Sequence, residues 1–376
     1  MKVVAATALA ALLAIGCSST PEPQSQPQTG APATRTGTAA PKTAVTARAA
    51  TVPADHRYVA LSDGQTGRIV LVDLAKGTTA EVVAARGSPA RPYYAPPFSE
   101  SADGKRLLVA AVGPAERSAL YLTDVVAGRA TLLYEDDEIW AVGPLHGVIS
   151  PDGARYAFHG HDGVRIGDTA GGPTRLFVED EDPADMTKIW YPLAWSIDRS
   201  AIVLAQGAET ITKIAVFDAA NGEQGWVGTG SQVSWRAKAP FLAVAGSAGS
   251  FGGENRVYAV DPNDGVIRDL EPLGAKYFGS IAWHPSADRV LYTAADDPFA
   301  EGDVFTRELT GAAKRVESPK KIWDAWWSSD GSRIYATAAR GSAAATPGVG
   351  DIDILELPGG RVVASVCRAD PRGQCR

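Results

Sequence analysis

One phrase recurs along this chain and limits what it can fold into: an aromatic or apolar residue, a Ser or His, a tight turn, then an apolar run. It reads Val148-Ile149-Ser150-Pro151-Asp152-Gly153 ahead of Arg155-Tyr156-Ala157-Phe158, and Ala194-Trp195-Ser196 ahead of Ala201-Ile202-Val203-Leu204. It returns as Ser234-Trp235-Arg236, as Ala282-Trp283-His284-Pro285 and as Trp326-Trp327-Ser328-Ser329-Asp330-Gly331. An earlier copy starts at Phe98-Ser99 and reaches Asp103-Gly104, with two residues more than the rest. The anchors Phe98, Ile149, Trp195, Trp235, Trp283 and Trp327 stand 51, 46, 40, 48 and 44 residues apart.

Each copy is a hairpin. Pro-Asp-Gly combines a preset φ, a side chain that bonds its own backbone and a residue free to take φ > 0. The flanking runs are rich in aromatic and β-branched residues, as strands are. A second phrase follows each hairpin, a strand ending in Asp before a Gly turn, as in Tyr121-Leu122-Thr123-Asp124 to Gly128 and Val216-Phe217-Asp218 to Gly222. Four short strands in about 45 residues make the unit of a β-propeller blade. The fold class expected is therefore all-β, with seven blades and six as the alternative. The N-terminal unit, Tyr58 to Ala85, has three candidate strands and no anchor. Ring closure would borrow a strand from residues 44–54 or from Arg361–Val366.

The repeat resembles that of TolB-like propellers with the Trp-Ser-Pro-Asp-Gly phrase, relatives of the WD-type repeats, over residues 58–366. The resemblance is specific for the fold and weak for function, because the phrase is a turn and not a site.

Ahead of this region the chain reads as targeting and tether. Residues 1–16 combine Lys2 with an apolar run from Val3 to Ile15, too short to span a bilayer and suited to a signal peptide. Ala14-Ile15-Gly16-Cys17 resembles the lipobox of bacterial lipoproteins, which implies an acylated Cys17, palmitate among its chains, and attachment to a bilayer. An ordinary signal peptide containing a Cys is the alternative. Residues 17–54 hold Pro, Ala, Thr, Gln and Gly with no aromatic residue, so they cannot offset their conformational entropy by burial. Such a leash reaches about 30–35 Å. The expected domains are thus 1–16, 17–54, a propeller over 55–366 and a tail over 367–376. In an oxidising compartment Cys367 and Cys375 pair with each other; two free thiols are the alternative.

Little in the sequence carries chemistry. Gly246-Ser247-Ala248-Gly249 fails the spacing of a nucleophile elbow. His159-Gly160-His161-Asp162 is the one local cluster suited to a divalent metal, with His146 or a residue of another blade as the third ligand; an ordinary turn is the alternative. No other cofactor is called for. Tyr93, Tyr94, Trp140, Trp190, Tyr191, Tyr277, Phe278 and Trp323 precede anchors, in the links between blades. They form either an aromatic rim for a ligand or inter-blade packing. A net charge of −7 argues against nucleic acid as a partner. The function expected is a lipid-anchored, non-catalytic propeller of the cell envelope that binds a protein or other ligand on one rim, with a metal-dependent lactonase or sugar-processing enzyme as the alternative.

Overall fold

In the computed structural model, residues 44–45, 58–83, 98–136, 147–206, 213–246, 256–270, 277–340 and 351–366 are described, apart from short breaks at 64–67, 75, 102, 113–117, 125–126, 128, 183–184, 231, 238–241, 297–299 and 329. Cys17, Tyr93, Tyr94, Trp140, His146, Cys367 and Cys375 lie outside them. The described residues form antiparallel sheets in sequence order. Six sheets have four strands of their own, spanning 98–136, 147–179, 190–229, 232–269, 277–316 and 324–366; they are blades one to six below. A three-stranded sheet, Tyr58–Asp63, Arg68–Asp73 and Thr78–Val83, comes before them. The one helical turn among the described residues, Met186–Lys188, sits in the link between blades two and three and is capped by Asp185.

Alternation along each strand explains how the blades assemble. Ile202 and Leu204 point to blade two and pack with Val148, Ala157, Val164 and Ile166. Their neighbours Val203 and Ala205 point to blade four and pack with Leu242, Val244, Tyr258 and Val260. Both sheet faces are thus buried, which is why these strands read as continuous apolar runs. The same division places Trp283 between blades four and five and Trp327 between blades five and six. Val72 of the three-stranded sheet packs on Tyr335, Ile354 and Ala364 of blade six.

Two expectations need correction. Arg361–Val366 is the outermost strand of blade six, and Ala44–Val45 pairs along the outer edge of blade one, while residues 46–54 lie outside the described residues. Neither lies in the three-stranded sheet. That sheet's strands correspond to positions two to four of a blade, because the Asp73 to Gly77 turn joins its last two. The copy at Phe98 also has no extra residues. Ser101 takes the hairpin seat, its hydroxyl 2.7 Å from Asp103, which puts Glu100 in the anchor register.

The hairpin is one device used four times. Ser150 donates to Asp152 at 2.7 Å and accepts from the Arg155 N–H at 2.9 Å; Ser101, Ser196 and Ser328 repeat this with Asp103, Asp198 and Asp330. In blade five His284 replaces Ser. Its Nδ1 accepts from the Ser286 and Ala287 N–H groups, so Nε2 carries the hydrogen and faces the Gly331 carbonyl at 3.1 Å. The hydroxyl of Ser150 draws the Asp152 carboxyl down to about 2, and that of Ser328 does the same for Asp330. Both sit below the ordinary 3.8, so the stability they contribute is complete above about pH 4 and is lost as pH falls through about 2. Melting temperatures measured from pH 5 to pH 2 are expected to fall along this limb. Asp152→Asn and Asp330→Asn should flatten it; an unchanged slope would remove these carboxylates as its cause.

Candidate functional site

The antiparallel order gives the propeller two different ends. Hairpins between a blade's first and second strands lie at one end, and the links between blades lie at the other, called the link rim below. Most of the chemistry-bearing residues lie at the link rim.

His159 is the penultimate residue of the second strand of blade two. Its Nε2 is 3.1 Å from Asp180 Oδ2, and Asp180 Oδ1 accepts the Trp190 N–H at 2.7 Å. Both side chains are buried. Asp162 is held by Arg165 through two bonds of 2.9 and 2.6 Å. The strand ends at Gly160, so His161 and Asp162 belong to the turn and do not continue the strand face of His159. Among the described residues no three His, Cys, Asp or Glu side chains are placed to share a metal ion. The acidic run after this blade is internally matched as well: Glu181 meets the Gln206 amide at 3.1 Å, and Asp182 and Asp185 meet Lys188.

The link-rim aromatics divide into two groups. Trp190 is core: it meets Phe217 edge-on at 5.2 Å, with Lys213 above its ring. Phe278 is core too, against Tyr292. Tyr191 packs partly between blades three and four. Tyr277 and Trp323 are only half-buried, and neither ring has a ring or hydrogen-bond partner among the described residues.

The innermost strands line the axis, and a register across blades connects them. Ser99 Oγ accepts the Ile149 N–H at 3.1 Å, and Ser234 Oγ accepts the Trp283 N–H at 3.0 Å. One step nearer the link rim, Ser280 Oγ accepts the Ala325 N–H at 3.0 Å. In blades four, five and six the residue three before the anchor Trp is therefore Gln232, Ser280 and Asp324, a polar arc on consecutive inner strands. Gln232 and Asp324 are exposed. Enclosure by surrounding protein nevertheless raises the Asp324 carboxyl, against the Ser280 hydroxyl and the Ala325 N–H, which pull it down. Sequence reasoning missed this arc. A polar residue three before the anchor in successive copies was the available signal.

Comparison with solved structures fixes the class. The chain matches oligogalacturonate lyase from Vibrio parahaemolyticus over 87% of its own length and 86% of that chain, at 13% identity and a TM-score of 0.56. It matches the β-propeller domain of the Trilobed protease from Pyrococcus furiosus over 84% of itself and 94% of that chain, at 12% identity and a TM-score of 0.53. The chain is a β-propeller. TolB from Acinetobacter baumannii is similar over 68% of this chain at 15% identity and a TM-score of 0.46; the match spans 64% of that protein, less than two thirds. No protein-family model and no curated protein matches. At these identities the likeness is one of fold, and function has to be argued from residues.

Proposed function

We propose that this propeller is a lipid-anchored protein of the bacterial cell envelope that binds a protein partner at its link rim without catalysing a reaction. The observation that carries this reading is a contrast in how side chains are used. The groups suited to catalysis, His159, Asp180 and Asp162, are engaged with other protein groups. The unengaged polar and aromatic groups, Gln232, Tyr277 and Trp323, stand instead at or just before the first residue of an inner strand, on the link rim. Surfaces that bind proteins keep such groups in reserve for the partner. The leader and the Pro-rich leash up to residue 54 support a tethered module, with Cys17 as the acylated residue. Among the described residues no helix is long and apolar enough to cross a membrane.

Expression of the full chain and of Cys17→Ala in a lipoprotein-processing bacterium tests the anchor. Wild type is expected in the membrane fraction and the variant in the soluble fraction; a variant that stays with the membrane overturns the anchoring. Metal analysis of the purified protein tests the non-catalytic part. Stoichiometric bound metal would replace this reading with that of a metal-dependent propeller enzyme, with His159, His161 and Asp162 as the first ligands to substitute.

A further inference from the structure

Blade one differs from the other five at its outer edge. Its fourth strand, Arg129–Asp136, is eight residues long, against three to six in the other blades. Between Arg129 and Glu135 it carries no charge. A long uncharged edge offers unpaired backbone groups to any extended chain, and proteins shorten, charge or cover such edges. This one is covered. Ala44–Val45 lies along it antiparallel, Ala44 opposite Thr131 and Val45 opposite Ala130. Among the described residues no other blade has a fifth strand.

The occupant comes from the chain ahead of the propeller, and its charge agrees with its direction. Antiparallel pairing sends the residues before Ala44 toward Glu135-Asp136-Asp137-Glu138, at the far end of the strand. Those residues include Lys42 and Arg35, and the only acid between Cys17 and Ala44 is Glu22. Unlike charges therefore favour this direction of docking. Twelve residues, Thr46 to Arg57, join Val45 to the first strand of the three-stranded sheet. Extended, they bridge about 40 Å, long enough for the pairing to form within one chain.

We propose that the outer edge of blade one is a docking site for this chain's own leash, with Ala44 and Val45 as the strand that holds it there. The latch fixes the point at which the leash leaves the propeller. Docked, the leash runs from Cys17 to Thr43, 27 residues; undocked, it runs to Arg57, 41 residues. Reach scales with the square root of that number, so docking shortens it by about a fifth. The effect on reach rests on the anchoring proposed above, whereas the docking itself needs no acyl chain.

Limited digestion of the full chain with trypsin is the test, because the protease needs several extended residues on each side of the cut. Cleavage after Lys42 requires Ala44 and Val45 to leave blade one; cleavage after Arg35 does not. A synthetic peptide of residues 31–50 gives the ratio of the two rates without the propeller. In the full chain Lys42 is expected to be cut about tenfold more slowly, relative to Arg35, than in that peptide. Of two adjacent strand N–H groups one points at the partner strand, so the double variant Ala44→Pro/Val45→Pro removes it. The double variant and its own matching peptide should give the same ratio. Both positions lie ahead of the propeller, so the variant should melt with wild type. Cys17→Ala should keep the protection, so a failed anchor leaves the docking in place. Equal ratios for wild-type protein and peptide overturn the docking, as does protection that survives the double variant. Protection that rises with protein concentration overturns docking within one chain and gives the edge to a second copy.

Discussion

Trp283→Ala is expected to cost about 3–5 kcal/mol in urea unfolding followed by fluorescence, enough to unfold many single domains. Trp283 is 6% exposed and packs between Ala243, Ala245, Val257 and Ala259 of blade four and Ile281, Val290 and Tyr292 of its own blade. The small residues facing it cannot collapse into the space, so the cavity term stays with the mutant. Arg236 of blade four lies over its ring at 5.9 Å and is itself paired with Asp288, so truncation also exposes a cation to a void. A finer comparison separates packing from hydrogen bonding. The indole N–H of Trp283 has no partner among the described residues, while that of Trp195 donates to the Val148 carbonyl at 3.2 Å. Trp195→Phe should therefore cost about 1 kcal/mol more than Trp283→Phe, the net worth of one hydrogen bond. A near-neutral Trp283→Ala would mean that the recurring Trp residues do not hold the blades together.

These anchors were legible in the sequence because a large aromatic at a steady spacing has only one use in a chain of short strands. Phe98 was misread for the opposite reason. Ser99 and Ser101 both look like the residue after an anchor, and only the spacing from Ser to Asp-Gly, shared with Ser150 and Asp152, decides between them. Trp190 and Phe278 could be placed near the axis but not on a face, since a strand residue's face depends on which blade meets it. His159 and Asp180 are 21 residues apart and meet only because the outer strand of blade two returns to the link rim. Asp324 and Gln232 carry no local signal at all. What marks them is a register from one blade to the next, and no single repeat contains that.

Gly163→Ala should cost about 3–5 kcal/mol, combining backbone strain with a clash that has no soft side. Gly163 takes φ +134°, a conformation that L side chains rarely adopt, where the strand following the His161-Asp162 turn begins. A Cβ there would lie 2.2 Å from the Val178 carbonyl oxygen and 2.9 Å from the Asp180 N–H nitrogen. Both are backbone atoms of the neighbouring outer strand and its exit, so relief requires that chain to move outward. Asp180 would move with it, away from His159 at 3.1 Å and from the Trp190 N–H at 2.7 Å, leaving buried polar groups without partners. The loss would thus extend from a turn on the link rim to Trp190 in the core between blades two and three. Thermal melts of Gly163→Ala beside Gly172→Ala give the measurement. Gly172 has a similar φ of +130° but nothing within 4 Å of its Cβ position. Its variant isolates backbone strain at about 1–3 kcal/mol. If the two glycines cost the same, the close approach of the outer strand contributes nothing, and the His159–Asp180 pair does not depend on it.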